Sequence, residues 1–215
     1  MDEPIGLRQL KKRRQREEIA AAAQRLFAQR GFEAVTVAEV ARAAQVAPKT
    51  VFNYFPTKED LFYSRADSFG EDLVVAVRDR PPGMTVIDAF RRFVLTPRGV
   101  LVVDDDTGPD AEPQTTLLRV AVNSPALLAR EKQVLERYSN SLAGLIADEI
   151  GVSEDDIEPR VVADALIAVH RALIDYIRPR IVAGVPREKL IKEFRNQGQR
   201  GFKRLEEGLA DYAPR

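Results

Sequence analysis

Lys49, Thr50, Phe52, Asn53 and Tyr54 crowd one short stretch between Pro48 and Pro56. Lysine donates to the acceptors of guanine, and asparagine pairs two-handed with adenine, so this set has the chemistry to read base edges. Lys49 suits a phosphate equally well, and Tyr54 also suits a half-buried place under Phe55. Both alternatives stand on sequence alone. Upstream, six of the nine residues 8–16 are basic (Arg8, Lys11, Lys12, Arg13, Arg14, Arg16) and none is acidic. A phosphate backbone attracts such a run. Solvated helix faces carry similar runs, so its place beside the reading stretch is what gives it meaning.

Those residues need elements to hold them. Ile19, Ala22, Ala23, Leu26 and Phe27 recur at helical spacing over 16–30, and Gly31 supplies a left-handed stop. Thr36 opens a second helix, with Glu39 placed to complete a capping box. Val37, Val40, Ala41 and Ala44 face inward. Gln45-Val46-Ala47 is a turn without glycine, so ordinary residues must tolerate its bend. Pro48 starts a third helix, where its missing N–H costs nothing. Pro56 ends it, because the residue before a proline is pushed out of helical geometry. Two turns are too few for stability alone. Val51 and Phe55, one turn apart, are the residues that can pack this helix on its neighbours. Thr57 caps a fourth helix with Asp60 at its third position. The arrangement is a helix-turn-helix, built to place one short helix in a DNA groove.

Residues 16–63 resemble the DNA-binding domain of the TetR (tetracycline-repressor) family of transcriptional regulators. The resemblance runs from Ala21 to Gly31-Phe32, through Thr36-Val37, Val40-Ala41 and Val46, and along Thr50 to Leu61. It implies that Thr36 holds a phosphate at a helix N-terminus. It implies that Lys49, Thr50, Asn53 and Tyr54 face the major groove, and that Lys58 holds a phosphate just past the reading helix. Phe52 stands where relatives often carry tyrosine and so lacks one hydroxyl for a phosphate. Ala47 and Pro48 replace a Ser-Gly-like pair. The fold implied is all-α, with the DNA-binding domain over 1–56 and a helical regulatory and dimerisation domain over 57–215.

Helical patterns cover 57–79, 85–96, 113–123, 125–150, 158–183 and 187–211, and no strand pattern is convincing. Residues 96–113, with Asp104-Asp105-Asp106, read as an acidic loop. Adjacent aspartates point different ways, so they make a poor metal site. The last two helices carry apolar stripes, and Val169, Leu173, Phe194, Gly198, Gly201 and Leu205 are the expected dimer surface. Gly198 and Gly201 each cost about 1 kcal/mol inside a helix relative to alanine, which close approach of another helix would justify. A break near Gly198 is the alternative. Two such helices per subunit make a four-helix isologous interface, and a homodimer suits two half-sites of a palindromic operator.

The resemblance also implies a ligand cavity in the second domain. Phe93, Arg119, Asn123, Tyr138 and His170 are the candidate contacts. Most apolar residues there are plain core, and His170 fits either a satisfied structural histidine or a pocket anchor. A large apolar cavity with one or two polar groups suits a small, mostly apolar effector.

Composition excludes other classes. The chain of 215 residues has no cysteine and one histidine. There is no glycine-rich phosphate loop, Glu-x-x-His pattern or nucleophile elbow, so no enzyme is expected and no cofactor or metal. No apolar run approaches the ~18–20 residues that span a bilayer, and a signal-peptide core is missing, so a cytoplasmic protein is expected. Zero net charge hides an asymmetry: residues 1–65 hold 12 Lys/Arg against 8 Asp/Glu, and the rest 21 against 25. The expected partners are double-stranded DNA, an effector and a second copy of the chain. The reading is a repressor released by its effector. An activator, or a DNA-binding dimer without a ligand, is the alternative.

Overall fold

The computed structural model describes residues 7–96, 114–153 and 155–208. Every regular element among them is a helix: α1 (Leu7–Arg30), α2 (Val37–Ala43), α3 (Pro48–Tyr54), α4 (Lys58–Phe62), α5 (Ser64–Arg78), α6 (Val86–Leu95), α7 (Gln114–Val122), α8 (Pro125–Ile150), α9 (Ile157–Val182) and α10 (Arg187–Glu207). The acidic stretch Asp104-Asp105-Asp106 lies outside the described residues.

The chain forms two compact units, one from residues 1–66 and 105–130, the other from 67–104 and 131–215. The sequence reading divides the chain at 56/57. The compact units divide it within α5 and α8, and α4 and α7 pack with α1 in the first unit.

The first unit is built around Ile19, Phe27, Phe32, Val40, Val51, Phe55, Leu61 and Leu127, all with 3% exposure or less. Gly31 ends α1 at φ +80°, its N–H donated to the Phe27 carbonyl at 2.8 Å. Phe32 then turns back, its ring 5.3 Å from that of Phe27. The expected capping box of Thr36 with Glu39 forms, and the Thr57 cap forms a second one with Asp60. Gln45 carries the bend of the helix-turn-helix at φ +55°, in the left-handed region most residues avoid. The fourth helical pattern breaks at Tyr63, whose hydroxyl donates to the Leu127 carbonyl at 3.0 Å. Ser124, ahead of α8, donates its hydroxyl to Glu33 at 2.9 Å.

In the second unit α9 packs on α10, and α6 packs on both. Leu73, Phe90, Leu142, Leu166 and Phe202 are its fully buried large side chains. α10 runs unbroken through Gly198 and Gly201. Their close approach is to helices of the same chain. A Cβ at Gly198 falls 2.2 Å from Leu95 and 3.3 Å from Leu173, and one at Gly201 falls 3.1 Å from Val169. Leu173, Phe194 and Gly198 are buried within the single chain, Gly198 between Leu95 of α6 and Leu173 of α9. Val169, Gly201 and Leu205 are only partly covered. Exposed apolar area on α9 lies at Ile157, Val161, Val162 and Val182. Arg178 grips Glu131 with two bonds of 2.5 and 2.7 Å.

Gly70 shows the same economy more sharply. A Cβ there falls 2.3 and 2.5 Å from two atoms of the Tyr138 ring. Gly70→Ala is expected to destabilise the protein by about 1–3 kcal/mol through overpacking, although alanine is the better helix former. Urea unfolding measures this, and Tyr138→Leu in the same chain should recover part of the loss.

Candidate nucleic-acid interface

α3 is held from behind. Val51 and Phe55 are 0% and 1% exposed, sunk in the first unit's core. Tyr54 is half-buried, and its hydroxyl donates to Gln15 Oε1 at 2.8 Å. Arg16 lies with its guanidinium 4.8 Å from the centre of the Phe55 ring. Three contacts on residues 51–55, two of them with α1, therefore fix a helix of seven residues. What is left outward is Lys49, Phe52 and Asn53, all exposed, with Thr50 partly so. Positions i, i+3 and i+4 share one helical face, so the three exposed residues form a single row. Tyr54 takes the half-buried alternative, because its hydroxyl already serves α1.

The flanking residues have other engagements. Thr36 gives its N–H and its hydroxyl to one Glu39 oxygen, both at 2.8 Å. Arg30 donates to the other Glu39 oxygen at 2.7 Å. Bonds from the Thr36 backbone, from Arg30 and from the Thr36 hydroxyl hold the Glu39 carboxyl well below its ordinary value, at about 2. The N–H and hydroxyl of Thr36 are thus both engaged by a carboxylate of its own helix. Lys58 opens α4 with its ammonium 4.2 Å over the Phe32 ring, partly buried. Arg14 is exposed and paired with Glu18 at 2.9 Å, as Arg13 is with Glu17 at 3.0 Å. Exposed i,i+4 pairs of this kind are worth only tenths of a kcal/mol, so both arginines can turn to another anion at little cost. Gln15 and Arg30 were not singled out from sequence, and Arg16 was read only as part of the basic run. Gln15 meets Tyr54, 39 residues on, and Arg30 meets Glu39, nine residues on, spacings that no local pattern announces.

The five candidate ligand contacts do not share one unit. Arg119 is exposed on α7, and its carbonyl accepts from Asn123 Nδ2 at 2.8 Å; both belong to the first unit. Phe93, Tyr138 and His170 belong to the second, and Phe69 joins them there. Its ring lies 5.2 Å from Phe93, 5.7 Å from Tyr138 and 5.3 Å from His170, stacked on the imidazole at 13°. His170 is 9% exposed, and its Nδ1 is buried with no hydrogen-bond partner among the described residues. Burial lowers its pKa to about 4, so the ring is neutral at pH 7. Phe69 was missed because a lone aromatic on an apolar stripe looks like any core residue. An open cleft of about 820 Å³ in the same unit is lined by Pro81, Pro82, Met84, Arg92 and Gln199 among others.

No helix among the described residues is long and apolar enough to cross a membrane. The sequence profile described as bacterial regulatory proteins, tetR family, matches residues 19–64. A second, the MftR C-terminal domain, matches 86–180. The HTH-type transcriptional regulator TcmR of Streptomyces glaucescens is 31% identical over 169 residues, 78% of this chain and 75% of that one. The HTH-type transcriptional regulator LuxR of Vibrio harveyi is 50% identical over 52 residues, 24% of each chain. Among solved structures, a TetR-family regulator from Syntrophomonas wolfei aligns with TM-score 0.57 at 16% identity, over 94% of this chain and 99% of that one. NalD of Pseudomonas aeruginosa aligns with TM-score 0.52 at 20% identity, over 88% and 97%. These two likenesses are of fold.

Glu39 makes the acid stability of the reading head testable. A carboxyl depressed in the folded state stabilises fully above its unfolded value and loses that contribution as pH falls through its folded value. The window is therefore from about pH 4.5 down to about 2. Glu39→Gln should lower stability at neutral pH and flatten its fall across that window. Denaturant midpoints at pH 7, 4 and 2.5 check this.

Proposed function

The chain belongs to the TetR family of bacterial regulatory proteins and is a DNA-binding transcriptional regulator; from that premise we propose a cytoplasmic repressor that binds a palindromic operator as a homodimer and leaves it when a small, mostly apolar effector binds. The observation that carries the reading is the exposed row Lys49, Phe52 and Asn53 on a helix whose back is fixed to the core. Lys49 and Asn53 discriminate bases, each good bidentate contact by about 1–3 kcal/mol. Arg14 and Lys58 serve phosphates and give affinity without sequence preference. Thr50 borders the row, and Thr36 serves by holding the N-terminus of α2 through Glu39 rather than by direct anion contact.

Occupancy of an operator is enough to repress, since it needs no further surface to recruit another protein. A dimer through α9 and α10 would present two reading heads. The exposed Val161 and Val162 and the partly covered Val169, Gly201 and Leu205 are suited to such a contact. The aromatic cluster of Phe69, Phe93 and Tyr138 around the unpartnered His170 Nδ1 suits an apolar effector with one hydrogen-bonding group. That effector must bind the DNA-free arrangement more tightly, or it moves nothing. Phe69 already fills the space beside His170, which favours one alternative, a DNA-binding dimer that takes no ligand.

Selection of genomic fragments by the purified protein at physiological salt tests the reading. One palindrome with half-sites about 34–36 Å apart, or a multiple of it, is the expected result. Salt-sensitive binding without any enriched sequence would contradict it. On the selected operator, Lys58→Ala should weaken binding across sequences and lower the log–log salt slope by about one. An altered base preference with an unchanged slope would remove the phosphate role.

A further inference from the structure

Of the chain's ten phenylalanines, eight are buried and Phe69 is partly buried; Phe52 alone stands 50% exposed. It touches no other ring among the described residues and adds little to the first unit's core. Its position is in the exposed row of α3, three residues after Lys49 and directly before Asn53. A phenyl ring donates no hydrogen bond, so it cannot make the polar contact that fixes a phosphate. Presented to the major groove, it meets base edges that are polar almost throughout. The apolar group there is the C5-methyl of thymine, and phenylalanine is among the side chains that read it.

We propose that Phe52 is a specificity-determining residue, packing its ring on one thymine methyl in each half-site beside the bases met by Lys49 and Asn53. The proposal rests on the reading of α3 as the major-groove element. It gives the exposed ring a partner of matching chemistry, and it adds an apolar third element to a row otherwise made of one cation and one amide. The ring has two rotatable bonds, and its neighbour Val51 is anchored in the core, so little freedom is lost on contact.

The test removes the methyl alone. In the selected operator each thymine pair is replaced in turn, symmetrically, by deoxyuridine, and affinities are measured for the full-length protein, Phe52→Ala and Phe52→Leu. Loss of one buried methyl in each of two half-sites should weaken the parent protein by about tenfold at a single symmetric position. At that position the same replacement should leave Phe52→Ala unchanged and weaken Phe52→Leu by an intermediate factor. Thermal unfolding close to that of the parent shows that the variants are folded, as expected for a ring outside the core. The proposal is overturned if no position loses its methyl effect in Phe52→Ala, if Phe52→Ala binds the operator as tightly as the parent, or if the half-site contains no thymine. Failure to select any sequence overturns the reading of α3 itself, and this proposal with it.

Discussion

A helix of seven residues does not persist in water by itself, so everything the reading head does depends on the burial of Val51 and Phe55. Their side chains turn an intrinsically unstable segment into a rigid one. Rigidity here is what gives Lys49, Phe52 and Asn53 fixed positions relative to one another. α1 supplies two of the three restraints, through Gln15 on Tyr54 and Arg16 over Phe55. The basic run of α1 therefore has two roles on two faces. Gln15 and Arg16 face α3, and Arg13 and Arg14 remain in solvent.

One electrostatic device occurs twice in the first unit. α2 and α4 are both short, and each begins with a threonine and a carboxylate that cap one another. An arginine from another helix then takes the free side of each carboxylate, Arg30 on Glu39 and Arg130 on Asp60. At Asp60 burial acts to raise the carboxyl, but bonds from Thr57 and Arg130 outweigh it and hold the group below its usual value. Each arrangement satisfies local backbone donors and ties a short helix to a long one with the same charge. The second unit relies instead on close backbone approach, with Gly70 against the Tyr138 ring and Gly198 under Leu95.

Much of the first unit is legible in the sequence because its signals are local. The two capping boxes, Gly31, Pro48 and Pro56 are decided within four residues of each other's partners, and all act as their chemistry requires. What is not legible depends on distant partners. The break at Tyr63 accompanies a bond to the Leu127 carbonyl, 64 residues on. α7 carries apolar residues that suit any core, and its place beside α1 follows from tertiary fit. For the same reason Arg119 and Asn123 fall in a different unit from His170, and Gly198 lies close against Leu95 of α6. The exposed row of α3 was visible as a set of outward residues. That Tyr54 would leave it depended on Gln15, far outside the motif.

The central claim is that the outward face of α3 chooses the DNA sequence. The most direct test is to determine the bound motif separately for Lys49→Ala, Asn53→Ala and the parent protein, by selection from random duplexes at one fixed salt concentration. Each variant should lose preference at its own one or two symmetric positions and keep the remainder of the palindrome, because base-edge contacts act locally. Three identical motifs that differ only in affinity would contradict the claim and would assign sequence choice to some other element.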